Sequence, residues 1–339
     1  MKKYRVAVVG IGLVGSEILK VLKQRNFPAE SIKVLARRRR KEIIDGVEYN
    51  VEPTTIEAFD NVDIALFAGT EGAKGASQQF GWEAVKKGVI VIDNGQDFRM
   101  DSRVPLVVPE INAEDLKKHQ GFIANPNCST IQMVMAMAPL HKISKIKRVV
   151  VSTYQAVSGT GSGAVKELEQ QIRNYVEGKE LKAEVYPHQI FSNLLPHIGS
   201  LKNDEFQGYY SEEIKMVKET HKIFGTEDIK VTATCVRAPV FNSHSETVNI
   251  EFENEVGVEE AKQALSNFPG VTVVDDPGNA VYPLPFDATG KDDVFVGRIR
   301  KDYSIPNALN MWVVSDNIRK GAALNAVQIA EKMIEMGLI

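Results

Sequence analysis

The chain has 339 residues and carries 41 basic against 44 acidic side chains, a balance that calls for neither a nucleic acid nor an anionic membrane surface. It is long for one hydrophobic core, so two domains are expected. Two cysteines are too few for a disulfide framework, and the apolar run after the basic start is only residues 6–9; no signal peptide or membrane span is expected, and a reducing cytoplasm fits.

The first element is a strand. Residues 6–9 (VAVV) are apolar throughout, as in a parallel strand buried on both faces. They run into GIGLVG, which contains Gly10, Gly12, Leu13, Val14 and Gly15, and then into a helical pattern over residues 16–24. Strand, glycine turn and helix in that order make a dinucleotide-binding fingerprint. Gly10 allows the tight turn, Gly12 lets backbone approach a pyrophosphate, and Gly15 lets helix pack on strand. The next strand, residues 32–35, ends at Ala36, and Arg37, Arg38, Arg39, Arg40 and Lys41 follow with no carboxylate before Glu42. A carboxylate here would accept from a ribose 2′-hydroxyl, whereas arginine suits a 2′-phosphate, so NADP is expected over NAD. One or two of Arg37, Arg39 and Arg40 are expected to touch it, and the others to form a solvated turn. Strands at residues 63–67 and 89–92 end in small or polar residues. The connection at 68–80 is longer than this position needs, and Asn94 is expected near the nicotinamide. Alternating strands and helices predict a doubly wound, Rossmann-like parallel sheet.

The strongest chemical signal is Cys128. It stands between Pro126-Asn127 and the segment TIQMVMAMAPLH at residues 130–141, which reads as a helix. A cysteine at a helix start meets backbone N–H groups and the positive end of the helix dipole, which favour the thiolate and can hold an oxyanion. A lone intracellular cysteine is more often an inert buried thiol, but the flanking Asn127, Ser129 and Thr130 argue against a dry pocket. Cys235 sits in an alternating strand and reads as core.

Beyond Cys128 the pattern changes. Residues 148–154, 230–236 and 246–252 look like half-exposed strands of a mixed sheet, and residues 321–336 form an amphipathic final helix that returns to the first domain. The expected organisation is α/β: residues 1–128 with 318–339 binding the cofactor, and residues 129–317 forming an α+β domain for catalysis and dimerisation.

Several segments together resemble aspartate-β-semialdehyde dehydrogenase: NPNCSTIQ at 125–132, VSTYQAVSG at 151–159, TCVRAPV at 234–240 with HSE at 244–246, FVGRIRKD at 295–302 and MWVVSDN at 311–317. The likeness runs nearly end to end. It implies NADPH-dependent reduction of L-aspartyl-4-phosphate to aspartate semialdehyde and phosphate, at the branch toward lysine, methionine, threonine and isoleucine. It also implies a cytoplasmic homodimer or homotetramer with no metal. The glycine turn is one residue shorter than the family's common Gly-x-x-Gly-x-x-Gly.

By resemblance, Cys128 is the nucleophile and His244 its acid/base, Gln155 positions the acyl intermediate, and Arg237 clamps the α-carboxylate. Glu212 and Lys215 resemble the contacts to amino group and phosphate. Arg99 resembles a second phosphate arginine, assisted by Asn127. Ser158 and Gly159 resemble a cofactor-contacting turn, and Asn317 a nicotinamide contact. The chemistry asks for such types independently: cations for a dianionic leaving group, a thiolate to make a reducible thioester, an imidazole that titrates near neutrality, and a guanidinium fork for a planar carboxylate. Taken without the resemblance, Arg99 reads equally as a solvated loop residue, the Glu212 and Lys215 pair as a helix-surface ion pair, and His244 as a polar loop residue. Two alternatives stay open: an N-acetylglutamyl-phosphate reductase, against which Glu212 speaks, and a silent paralogue that binds NADP without turnover.

Overall fold

Residues 2–69, 72–203 and 206–339 are described by the computed structural model, and the chain divides into two units, Met1–Asn127 with Ala322–Ile339, and Cys128–Gly321. The first unit contains β1 (Tyr4–Val9), α1 (Leu13–Gln24), β2 (Ala29–Ala36), β3 (Arg40–Ile44), β4 (Val47–Pro53), β5 (Ile64–Phe67), α2 (Trp82–Lys86), β6 (Ile90–Asp93), α3 (Pro109–Asn112) and β7 (Phe122–Ala124). Its sheet runs β3-β4-β2-β1-β5-β6-β7, with every neighbouring pair parallel except β3–β4. Val6 and Val8 of β1, Ile64 and Leu66 of β5 and Ile92 of β6 meet Ile18 and Leu22 of α1 in one core, which explains why those strands are apolar without alternation.

Arg37, Arg38 and Arg39 lie in an exposed bend, as expected for part of the arginine run, and the β3–β4 hairpin takes up the remainder. Ile44 pairs with Val47, and Asp45 and Gly46 between them both have positive φ, 50° and 74°, as a two-residue hairpin turn needs. Arg40 and Lys41 therefore lie on an edge strand, where charged side chains discourage pairing with another sheet. Thr70 and Glu71, within the long connection at 68–80, lie outside the described residues.

The second unit contains α4 (Cys128–Ile143), β8 (Ile146–Gln155), α5 (Ser162–Val176), β9 (Leu201–Lys202), β10 (Tyr209–Tyr210), α6 (Ser211–Phe224), β11 (Lys230–Arg237), β12 (His244–Phe252), α7 (Val258–Ser266), β13 (Val271–Val273), α8 (Pro285–Ala288), β14 (Val294–Lys301) and β15 (Ala308–Ser315). Its main sheet is mixed, in the order β11-β8-β12-β15-β14-β13, with β11–β8 and β13–β14 parallel; β9 and β10 form a separate ribbon. Helix α4 is buried from Ser129 through Leu140, as a helix without a polar face must be.

The chain then returns to the first unit in α9 (Leu324–Glu335), where Val327 and Ala330 join the core of β1 and α1. The boundaries differ slightly from those expected. Cys128 belongs to the second unit because α4 begins on it. Residues 318–321 stay there because the Asp316 carboxylate accepts the Ile318 and Arg319 N–H groups and Asp292 pairs with the Arg319 guanidinium.

Candidate active site

In the first unit, a cavity of about 800 Å³ opens over the C-terminal ends of β1 and β2, lined among others by Gly10, Gly12, Arg37, Arg40, Ala68 and Lys74. Gly10 is at φ 94°, and a Cβ there would fall 2.6 Å from the Ala68 carbonyl oxygen. A Cβ on Gly15 would fall 1.9 Å from the Gly10 oxygen, whereas one on Gly12 would meet nothing within 4 Å. Two glycines thus close the turn, and the third leaves its backbone bare toward the cavity at the start of α1, where Leu13 and Val14 follow. An open helix N-terminus flanked by arginines suits a phosphorylated dinucleotide.

Arg37 and Arg40 line this cavity, and Arg39 does not. The Arg40 Nε also meets the Glu42 carboxylate at 2.6 Å. Lys74 is a lining cation that sequence reading passed over, inside a connection with no clear periodicity. Asn94 follows β6, where its amide donates to the Phe67 carbonyl at 2.8 Å; it is not among the lining residues. The turn is set by Asp93, which accepts from Ser77 Oγ and Gly95 N–H at 2.7 and 2.9 Å, and burial pushes its carboxyl up to about 6. Arg99 is buried rather than solvated. Its Nε and Nη2 donate to the Asn125 and Asn94 carbonyls at 2.9 and 2.7 Å, so much of its fork secures the turn before the buried Asn127.

In the second unit most of the expected residues come together. Gln155 ends β8 directly beside Arg237, the end of β11, and His244 opens β12 on the other side of β8. Gln155 Nε2 donates to Glu212 Oε1 at 3.3 Å, and Lys215 Nζ reaches Glu212 Oε2 at 3.1 Å. The Glu212 and Lys215 pair is therefore no ordinary helix-surface pair: Glu212 is buried and tied to the strand ends. Asn317 accepts the Ser243 N–H at 2.9 Å and donates to Ser158 Oγ at 3.0 Å. In this arrangement Asn317 and Ser158 brace the approach to His244.

Ala156, which the sequence reading did not single out, links the centre through its backbone alone. Its carbonyl accepts from Arg237 Nη1 at 2.6 Å, and its N–H donates to His244 Nδ1 at 3.0 Å. Gly159 crowds the same two side chains, since a Cβ there would lie 3.0 Å from Arg237 Nη1 and 3.1 Å from His244 Nε2. Gly159→Ala is expected to push both aside by a few tenths of an ångström and to lower kcat/KM by about 10- to 100-fold. Steady-state kinetics beside an unchanged melting curve would check this, and wild-type kinetics would refute it.

His244 is fully buried, and its Nε2 has no hydrogen-bond partner among the described residues. Burial, then the Arg237 charge, hold its pKa down at about 3 against the opposing pull of Glu212. Because Nδ1 accepts a backbone N–H, it carries no proton, so the neutral ring bears its hydrogen on Nε2. A cationic ring would turn an Nδ1–H onto the Ala156 N–H, so this contact favours the neutral imidazole in the unliganded protein.

The register of α4 against β12 brings Cys128 to this centre. Just past their C-termini, Asn254 N–H donates to Ser144 Oγ at 2.9 Å and Glu253 N–H to the Lys145 carbonyl at 2.8 Å, so the two elements run the same way. Nearer their starts Gln132 neighbours the buried Glu246 carboxyl and lowers its pKa, although neither side chain closes a hydrogen bond. Cys128 lies one helical turn before Gln132, about 6 Å. His244 lies two strand residues before Glu246, about 7 Å, and on the same face. Thiol and imidazole thus come to one level. Cys235, by contrast, is buried core, and burial raises its thiol well above the usual range.

The family model described as the semialdehyde dehydrogenase NAD-binding domain matches residues 5–119, and that of the dimerisation domain matches residues 137–320. The chain is 53% identical to the aspartate-semialdehyde dehydrogenase of Aquifex aeolicus over 345 aligned positions, covering 99% of each. This chain belongs to the aspartate-semialdehyde dehydrogenase family. It is an oxidoreductase of amino-acid biosynthesis, 48% identical to the Bacillus subtilis member over 98% of both chains. The crystal structure of aspartate semialdehyde dehydrogenase II from Vibrio cholerae is 39% identical and covers 98% of this chain and 99% of its own, with a TM-score of 0.93. A second structure, of the same enzyme complexed with ASA, is likewise 39% identical with a TM-score of 0.93. Among the described residues no helix is long and apolar enough to cross a membrane.

Proposed function

We propose that the enzyme reduces L-aspartyl-4-phosphate to L-aspartate 4-semialdehyde and phosphate with NADPH, through a thioester on Cys128, on the route to lysine, methionine, threonine and isoleucine. The observation that carries this reading is the cluster of Gln155, Glu212, Arg237 and His244 at the strand ends of the unit whose helix α4 begins on Cys128. Backbone N–H groups at the start of α4 stabilise the thiolate and the oxyanion. Arg237 holds the substrate α-carboxylate; its Nε has no partner among the described residues, while Nη1 is fixed by Ala156. Glu212 takes the α-amino group, and Gln155 orients the acyl chain. By resemblance Lys215 and Arg99 would bind the phosphate, with Asn127 assisting.

The turn from Gly10 to Gly15 would hold the cofactor pyrophosphate, with Arg37 and Arg40 at the 2′-phosphate and Asn94, Ser158, Gly159 and Asn317 toward the nicotinamide end. Bound there, the reduced cofactor supplies hydride. Arg37→Ala is expected to raise KM for NADP by about 10- to 100-fold, the worth of one charge-assisted hydrogen bond, and to leave KM for NAD within about twofold. An equal effect on both cofactors would remove the 2′-phosphate assignment. The unit matched by the dimerisation-domain model is proposed to pair two chains, and two such pairs would make the tetramer.

The deciding assay is reduction of NADP by aspartate semialdehyde with and without phosphate, beside N-acetylglutamate semialdehyde. Turnover that needs both aspartate semialdehyde and phosphate supports the proposal. Turnover on the acetylated compound alone would overturn it, and Glu212, a buried carboxylate that would find no free ammonium group in that substrate, argues for the first outcome.

A further inference from the structure

We propose that Tyr186 is a further substrate-binding residue of this site: its hydroxyl, held by Thr160 beside Arg237, donates a hydrogen bond to the substrate's α-carboxylate. The inference rests on the reaction proposed above and adds to it a second donor for that carboxylate, carried by a segment with no helix or strand of its own.

The segment is residues 177–200, between the end of α5 at Val176 and the start of β9 at Leu201. It is fastened at three places. On α5, Glu167 and Gln171 stand one turn apart and are both buried. The Glu167 carboxylate accepts the Glu184 N–H at 2.8 Å and also the Val185 N–H. Gln171 Oε1 accepts the Ile190 and Phe191 N–H groups at 3.1 and 2.9 Å, and its Nε2 donates to the Lys182 carbonyl at 2.6 Å. Buried side chains that satisfy the backbone of an irregular segment fix it where no ladder can. At the third place Leu195 and Arg237 exchange both backbone hydrogen bonds, at 2.9 and 2.8 Å. Residues paired in this way carry their side chains on one face with Cα atoms about 5.5 Å apart, so Leu195 lies next to the Arg237 side chain.

Between these anchors Tyr186 turns inward. Its ring packs against the cluster of Val157, Leu168, Ile190 and Leu195, and its hydroxyl lies 2.8 Å from Thr160 Oγ1. Thr160 follows Gly159, where a Cβ would come within 3.0 Å of Arg237 Nη1. Burial raises the pKa of the phenol and the Arg237 charge opposes that rise, so the two groups stand within electrostatic reach of each other. At neutral pH the phenol keeps its proton and can donate.

The chemistry of the ligand asks for such a donor. Arg237 spends Nη1 on the Ala156 carbonyl at 2.6 Å, whereas its Nε has no partner among the described residues. A carboxylate resting on that side of the fork still carries lone pairs that burial would leave unmet. A hydroxyl facing it meets one of them, and being neutral it adds no second cation beside Arg237. Thr160 is suited to aim it, because its own hydroxyl can donate to the phenol oxygen and leave the phenol hydrogen for the ligand. The α-carboxylate does not change during the reaction. Its contacts therefore hold substrate and transition state alike and show in KM rather than in kcat.

Tyr186→Phe keeps the ring in its cluster and removes only the hydroxyl. With NADP and phosphate as co-substrates it is expected to raise KM for aspartate semialdehyde about 10- to 100-fold, with kcat within about threefold of wild type. KM for phosphate and for NADP should stay within about twofold. Thr160→Val should move KM for aspartate semialdehyde in the same direction, and Thr160→Ser, which keeps a hydroxyl, should recover most of that loss. Combined with Arg237→Lys, the total loss should fall at least about threefold short of the product of the separate losses, because both donors serve one carboxylate. KM for aspartate semialdehyde within about twofold of wild type in Tyr186→Phe, an equal rise in KM for phosphate or NADP, a loss confined to kcat, or independent losses beside Arg237→Lys would each overturn the proposal. Wild-type turnover is measured first. Its absence would count against the reaction itself, whereas a Tyr186→Phe enzyme that holds substrate as the wild type does would count against Tyr186 alone.

Discussion

Cys128→Ala is expected to lower turnover by at least about 10⁴-fold while NADP binds as it does to the wild type. The change removes one sulfur and little else. Alanine keeps the Cβ that packs against Gly321, where a Cβ on the glycine would come within 2.8 Å of it, and it is a good first residue for α4. The cavity proposed for the cofactor is lined only by residues 9–80, far along the chain from this position. A loss of kcat with unaltered cofactor titration therefore isolates covalent chemistry. Activity within about tenfold of wild type would rule out the thioester. The same logic predicts one fast thiol in the wild-type enzyme, because the Cys235 thiol is buried and held well above its usual pKa.

Much of this was legible because the responsible side chains have distinctive patterns. VAVV followed by a glycine turn specifies a buried parallel strand and the helix start beside it, and both occur at that position. The cysteine before a long apolar segment marks a helix N-terminus, and α4 begins on it. The β3–β4 hairpin was overlooked although its Asp45-Gly46 turn was in plain view, because the charged residues around it mask the alternation that marks a strand. Ala156 was beyond any reading of side chains. Its two contributions come from a peptide group, and nothing about an alanine announces which carbonyl or N–H another strand will need. Gly159 was noticed for its place in a motif, but its crowding against Arg237 and His244 depends on how a helical turn meets the ends of neighbouring strands.

Glu246→Gln is expected to stabilise the protein by an amount that grows with pH. The Glu246 carboxyl is completely buried, neither oxygen completes a hydrogen bond, and burial raises its pKa well above the usual carboxylate range. A folded-state pKa raised in this way makes the folded protein hold a proton that the unfolded chain has released. From the ordinary glutamate pKa of about 4.3 upward, until the buried carboxyl itself ionises, stability falls by about 1.4 kcal/mol per pH unit. Below that window the group is protonated in both states and contributes no slope. Glutamine has nearly the same shape, is neutral throughout, and can still lie beside Gln132. Melting temperatures of wild type and variant should therefore be close near pH 5 and diverge by about pH 8, with the variant higher. Parallel curves would mean that Glu246 is ionised in the folded protein. The point reaches the active site, because Glu246 is two residues from His244 on the same face of β12. A carboxylate there would favour a cationic imidazole, whereas a protonated carboxyl leaves the buried ring neutral beside Arg237.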